Sequence, residues 1–290
     1  PIISTLIRDL STAKIQSIRA IINGTSNFIL TEMDENKMEF NDALDLAKNL
    51  GYAEPDPTND IEGFDARYKL AILSSLSFNT EIKVNDIYVE GIKNIDTTDF
   101  NYAKELGYTI KLLAIVENYN NGILARVHPS MINITTPLAK ISGASNAIEI
   151  KADMLGELII QGPGAGASPT TAAILNDLIS LIRNEANSIH SIPNINKKIP
   201  LINIKKLESR FYLRFVVKDQ PGVLSKMSNI LGEKKISIAS VIQKENPNLN
   251  SGAELVFMTY KSTQAAIDEA IEKIVKLDIV EELKSVFRVE

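Results

Sequence analysis

A chain of 290 residues is long enough for two domains with separate cores, and 44% hydrophobic and 23% charged residues make the composition of an ordinary soluble protein. The formal net charge of -5 leaves no basic excess to hold a phosphate backbone, so nucleic acid is not expected as a partner, and no apolar run approaches a membrane span. The absence of cysteine excludes disulfides, thiolate metal sites and a thiol nucleophile, and two histidines exclude a histidine-rich zinc site, so no metal site is expected.

Taken in chain order, residues 15–22 read as a strand, followed by the turn Asn23-Gly24-Thr25-Ser26-Asn27 and a helix through Glu35. Residues 41–51 make a short helix that Gly51 stops. An acidic loop comes next, then a helix over 65–78. From Gly122 to Gln161 the pattern changes to short strands, GILARVHPS, NAIEIKAD and GELIIQG. The turn Gly162-Pro163-Gly164-Ala165-Gly166 then leads into a helix over 170–184. His128 and His190 are read as structural, and the glycosylation pattern at Asn23 as a chance match. Residues 1–190 are expected to form a mixed sheet with helices packed on it, α/β (α+β) in class.

Residues 187–210 hold two prolines, four asparagines and no amphipathic period, which marks a joint; the linker is placed at 191–206 and a second domain at 207–290. Beyond it Phe211, Leu213, Phe215 and Val217 alternate against Tyr212, Arg214 and Lys218, a strand pattern. Pro221 stands near a helix start, with Val223, Leu224, Met227, Ile230 and Leu231 on one face. Strand-like runs at 236–243 and 253–261 follow, then a helix carrying Ile267, Ala270, Ile271, Ile274 and Val275, and a last strand at 283–289. The order βαββαβ is ferredoxin-like.

The chemistry concentrates in the loop. Glu54, Asp56, Asp60, Glu62 and Asp65 stand within twelve positions, and Lys69 lies one helical turn beyond Asp65, at the head of the stripe Ile72, Leu73, Leu76. Such a loop repels itself unless a cation balances it. A calcium loop numbered from Asp56 would put Ile61 where glycine is needed and Arg67 where a glutamate should stand, so that pattern fails. A substrate ammonium fits better, with the lysine free for proton transfer on another group. On these residues alone a solvated acidic loop with a surface pair of charges stays open, as does a purely structural role for the glycine-rich turn, whose spacing is not a dinucleotide fingerprint.

The stretch Gly51-Tyr52-Ala53-Glu54-Pro55-Asp56-Pro57, with Asp60, Gly63, Asp65 and Lys69, resembles the signature of homoserine dehydrogenases. Pro1-Ile2-Ile3, the turn at 23–27 and the glycine-rich turn at 162–166 agree in the same order, so the resemblance covers essentially the whole chain. Two departures are Ser26, where threonine is frequent, and Tyr68, where a small or polar residue often precedes the lysine. Residues 219–224, Asp-Gln-Pro-Gly-Val-Leu, resemble the D-x-P-G-x-L turn of ACT domains. The resemblance implies hydride transfer between NAD or NADP and aspartate semialdehyde, giving homoserine for threonine, methionine and isoleucine synthesis. It implies Lys69 and Asp60 as catalytic residues, Asp60 helping to orient the lysine. Glu54, Asp65, Thr25 and Tyr52 would bind substrate, and Gly164 and Gly166 would contact the cofactor. Asp219, Gly222 and Val223 would bind an amino-acid effector, with threonine the foremost choice. A homodimer or homotetramer is implied as well, while the composition, without cysteine or a secretory signal, sets a cytoplasmic location as the expectation. Because the chain begins at Pro1 and shows no dinucleotide-binding segment, it is expected to be the catalytic and ACT portion of a longer enzyme, inactive alone. The alternative function is a non-catalytic amino-acid sensor.

Overall fold

The computed structural model of the chain describes residues 2–119, 121–183, 195, 197–245 and 252–290. His190 and residues 191–194 and 196 of the expected linker lie outside them. The chain divides into two compact units, one of Pro1–Lys93, Lys111–His128 and Ile134–Ile202, the other of Asn94–Ile110, Pro129–Asn133 and Asn203–Glu290.

The first unit opens with the short helix α1 (Ile2–Ser4), then strand β1 (Ile15–Ile21), helices α2 (Gly24–Glu35), α3 (Phe40–Asn49), α4 (Thr58–Ile61) and α5 (Phe64–Phe78), and a two-residue strand β2 (Tyr88–Val89). After a helix α6 (Thr97–Glu105) that belongs to the other unit come β3 (Tyr108–Tyr119), β4 (Gly122–Asn133), β5 (Ser145–Ala152), β6 (Gly156–Pro163) and α7 (Ala167–Ile182). The strand order is β6-β5-β1-β3-β4, with β1 antiparallel to both β3 and β5 and β2 parallel to β4. Ile18 and Ala20 of β1, Leu113 and Ile115 of β3, Ile29 and Met33 of α2 and Leu70 of α5 are fully or almost fully buried and make the core.

Two elements depart from the expectation. β3 was not anticipated, because the run Thr109–Val116 is buried at every position and therefore shows no alternation of polar and apolar residues. β4 is likewise one twelve-residue strand rather than a short one, buried along almost all its length. The helix after the glycine-rich turn starts at Ala167, three residues early, and buries no side chain: Ile174, Leu175, Leu178, Ile179, Leu181 and Ile182 are all exposed.

The second unit contains β7 (Glu208–Lys218), α8 (Val223–Glu233), β8 (Ile238–Glu245), β9 (Gly252–Thr259), the two-residue β10 (Ser262–Thr263), α9 (Gln264–Ile274) and β11 (Val280–Val289). This is the expected βαββαβ order, with strands arranged β11-β7-β9-β8, all antiparallel. Phe211, Leu213, Phe215 and Val217 of β7 face Met227 and Leu231 of α8 and Ile267 and Ile274 of α9 in one core.

The other face of β7, which the alternation assigns to polar residues, is covered too. Arg214 is 1% exposed and Asp99 of α6 is 0% exposed. Arg214 Nε donates to Asp99 Oδ1 at 2.7 Å and Nη1 to Glu254 Oε1 at 3.2 Å. The hydroxyls of Tyr212 and Ser285 donate to Asp99 Oδ1 at 3.1 and 2.6 Å, and Tyr102 donates to Glu254 Oε2 at 2.7 Å. Desolvation first, then the Asp99 charge, drives the Tyr212 phenol far up, so it stays a donor. A capping box of Asp96 and Asp99 starts α6, which ties helix formation to the same cluster.

Buried ion pairs cost dearly when one partner alone is removed. Arg214→Met should therefore lower the unfolding free energy by about 3 kcal/mol or more. Adding Asp99→Asn should recover part of that loss. Urea denaturation of the two variants measures both, and strictly additive losses would contradict the coupling.

Candidate active site

The chemistry-bearing residues are set by two junctions. At the first, β1 ends and Asn23, in extended backbone, caps α2: its Oδ1 accepts from Ser26 N at 2.7 Å. At the second, Gly63 adopts φ 77°, a left-handed conformation that suits glycine, and turns the chain from α4 directly into α5. Asp60 thus sits on α4, Asp65 in the first turn of α5, and Lys69 one turn later.

The acids do not act as one cluster. Asp56 Oδ1 accepts from the backbone N and hydroxyl of Thr58, the first residue of α4, at 3.1 and 2.6 Å, and these bonds hold its carboxyl below the usual value. Glu62 pairs with Lys93 at 2.7 Å. Asp60 Oδ1 and Asp65 Oδ2 accept from the two N–H groups of Asn23 Nδ2, at 2.6 and 2.9 Å. Asp65 Oδ2 also accepts from Lys69 Nζ at 2.7 Å, and Nζ reaches the Ile22 carbonyl at 3.2 Å. Desolvation raises the Asp60 carboxyl above its ordinary value, with the charges of Asp65 and Glu54 adding to it against the Asn23 bond and Lys69. Glu54 is exposed and makes no hydrogen bond among the described residues.

Asp60 bonds Asn23 rather than Lys69, so the lysine is oriented by Asp65 and the Ile22 carbonyl. Thr25 donates its hydroxyl proton to the Tyr52 carbonyl at 2.6 Å, leaving that oxygen able only to accept from a ligand. The Tyr52 ring is largely exposed and stacks at a tilt on Phe28, centroids 4.8 Å apart.

The opposite wall is a strap, residues 141–146, held by side chains of α2 and β3. Asn27 Nδ2 donates to the carbonyls of Gly143, Ser145 and Ile141 at 2.9, 3.2 and 3.3 Å, and Gly143 N donates to Thr31 Oγ1 at 3.1 Å. Lys111 Nζ, buried beneath, donates to Ile141 O at 2.7 Å and to Asn27 Oδ1 at 3.4 Å. The strap approaches so closely that a Cβ on Gly24 would lie 2.7 Å from Ala144 O, and one on Gly164 would overlap the Asn146 amide at 1.9 Å.

Asn23, Thr25, Tyr52, Glu54, Asp60, Asp65, Lys69, Asn146, Gly164 and Gly166 all line one open cleft of about 860 Å³. Gly166, with φ 107°, precedes the free N-terminus of the sixteen-residue α7, and its surroundings leave the backbone accessible, so the turn can hold an anionic or amide-bearing cofactor group. Two cleft residues were not singled out from sequence. Asn23 stood inside a quoted motif, and its Asn-Gly junction ahead of Ser26 is a readable helix cap. Asn146, whose buried Oδ1 accepts no hydrogen bond among the described residues, left no signal. Among those residues no group of His, Asp and Glu is placed to hold a metal ion, and no helix is long and apolar enough to cross a membrane.

The proposed effector residues lie at the β7–α8 turn of the second unit. Asp219 and Gly222 are exposed, and Gly222 takes φ 91° with open space around it. Val223, however, spends its side chain in the core, so only its backbone faces out.

The homoserine dehydrogenase family model matches residues 1–179, and the ACT domain model matches residues 211–279. The homoserine dehydrogenase of Neisseria gonorrhoeae is 41% identical over 297 residues, covering all of this chain and 68% of that protein. The enzyme of the same name from Helicobacter pylori is 39% identical, again over the whole chain and 68% of its own length. The crystal structure of a homoserine dehydrogenase from Thiobacillus denitrificans superimposes with a TM-score of 0.92 at 38% identity, over the whole chain and 67% of that structure. A hyperthermophilic archaeal homoserine dehydrogenase mutant in complex with NADPH matches at TM-score 0.52 and 33% identity, over 62% of this chain and 51% of that one.

Burial pushes the Lys111 ammonium from its ordinary 10.5 down to about 8, against the opposing pull of Asp34 and Glu35. Between those two values the unfolded chain keeps a proton that the folded chain has lost, so the stability contributed at this site rises with pH. Unfolding free energies measured from pH 8 to 10.5 should therefore climb for the native chain relative to Lys111→Met. A constant difference would contradict the burial of a charge beneath the strap.

Proposed function

The chain belongs to the homoserine dehydrogenase family, and we propose that its cleft interconverts L-homoserine and L-aspartate 4-semialdehyde. The observation that carries this reading is the arrangement of one lysine and two differently committed carboxylates on a single cleft: Lys69 bonded to Asp65, with Glu54 exposed and unbonded. An uncommitted carboxylate beside a second one with a free oxygen is what a substrate ammonium needs, since each of its N–H groups gains a charged acceptor.

Glu54 and Asp65 Oδ1 hold the ammonium. Asp65 Oδ2 keeps Lys69 Nζ directed at the substrate oxygen. In homoserine oxidation Lys69 takes the proton of the γ-hydroxyl, and in the reverse direction it returns that proton to the carbonyl oxygen. Thr25 Oγ1 accepts from the substrate, and the Tyr52 ring screens the mouth. When bound, NAD or NADP supplies the hydride chemistry, and the backbone at Gly164 and Gly166 meets it. The turn Asp219–Val223 takes an amino-acid effector, the backbone N–H groups at the start of α8 meeting its carboxylate and Asp219 its ammonium. The exposed apolar residues of α7 and the outer edge of β6 suit burial in a homodimer or homotetramer.

In a complete enzyme Lys69→Ala should reduce kcat by about 100- to 10,000-fold, the usual range for an acid–base group. Glu54→Gln should raise the Michaelis constant for homoserine with a smaller change in kcat. Near-normal turnover without the lysine, or an unaltered constant without the Glu54 charge, would contradict these roles.

A further inference from the structure

We propose that Asn23 is a positioning residue, a neutral spacer that bridges the carboxyl groups of Asp60 and Asp65 and so sets where Lys69 stands. Three observations on the page carry it. The side chain is 5% exposed, and every polar group on it is used. Both amide hydrogens go to carboxylate oxygens, and Oδ1 takes a backbone N–H. That fixes the orientation of the amide, since carboxylates only accept and N–H only donates. Finally, the oxygen it bonds on Asp65 is the one that receives Lys69.

The need for such a spacer follows from charge. Asp60 faces Asp65 and Lys69 from α5 and Glu54 from the loop, three carboxylates against one lysine, in a half-buried position. Without a donor between them, two neighbouring carboxylates share a proton. Without the amide, Asp65 Oδ2, the oxygen that receives Lys69, loses one of the two donors that fix it, and the cleft loses the fixed acceptor that the substrate ammonium is proposed to meet. A cation between the acids would also quiet them, but it would compete with that ammonium. A neutral amide with two hydrogens does neither. The same side chain caps α2, so the spacing of the acids is locked to the start of a helix in the core.

This inference rests on the assignment of Asp65 and Lys69 to the reaction, yet its first test does not use the reaction. Asn23→Ser keeps a helix cap and deletes both amide donors; Asn23→Asp keeps shape and cap but adds a third carboxylate. Unfolding of the 290-residue chain is followed by denaturant from pH 4 to 8. In either variant the Asp60 carboxyl, already raised above its ordinary value, is raised further, and its unfavourable ionised state is present at higher pH. The stability deficit against the native chain should be largest at pH 8 and shrink as the pH falls and the proton is taken up. The shrinkage should be greater for Asn23→Asp. A deficit constant with pH means a lost cap or lost packing only, and overturns the proposal.

The second test is the pH profile of the complete enzyme. The acid limb of kcat/KM should move up by about one pH unit in Asn23→Asp, with activity partly restored at high pH. An unmoved limb overturns the positioning role. If Lys69→Ala proves active while the pH-linked deficit is found, the spacer stands and the catalytic assignment is what fails.

Discussion

A single oxygen, Oδ2 of Asp65, accepts hydrogen bonds from Lys69 at 2.7 Å and from Asn23 at 2.9 Å, and the cleft is arranged around it. The Lys69–Asp65 pair is partly exposed, with the lysine side chain about half in solvent, so its worth in stability is small. Its worth is positional. Asp65 can hold the lysine only because α5 begins at Phe64, and α5 begins there because Gly63 reverses the chain in a left-handed turn. Asn23 can reach both acids only because β1 stops at Ile21 and α2 starts at Gly24.

The two units use buried charge differently. In the cleft, charges stay near solvent and a neutral amide bridges two of the acids, while Glu54 and the second oxygen of Asp65 make no hydrogen bond among the described residues. Beneath α6 the charges are sealed: Arg214, Asp99 and Glu254 satisfy one another with three hydroxyls. That cluster draws α6 into the compact unit built around β7, although α6 lies more than a hundred residues earlier in the chain. Packing, not chain order, decides where the second unit ends.

Much of this was legible in the sequence. Helix α5, the glycine stop at Gly51 and the whole βαββαβ order follow from periodicity and turn residues. Elements that the sequence hides are those whose burial runs against the usual patterns. β3 is covered on both sides and so lacks alternation. α6 carries a fully buried aspartate, which no hydrophobic period can reveal. Arg214 was read only as one of the residues alternating against the apolar face of a strand, a pattern silent on what covers its own side of the sheet. For the cleft, residue types and spacing singled out the acids and the lysine but left a solvated loop open, and it was the family resemblance that gave them roles; how they pair depends on contacts between segments tens of residues apart. Glu62 turned to Lys93, Asp56 to Thr58, and Asp60 to Asn23 rather than to the lysine.

The central claim is that the shared oxygen of Asp65 directs Lys69 at the substrate while the remaining carboxylate oxygens receive its ammonium. A crystal structure of the complete enzyme with L-homoserine bound tests it most directly. The account predicts the substrate nitrogen within hydrogen-bond distance of both Glu54 and Asp65 Oδ1, and the γ-hydroxyl against Lys69 Nζ, with the Asn23 bonds intact. Homoserine bound with its ammonium away from these acids, or with Lys69 turned from the hydroxyl, would contradict it.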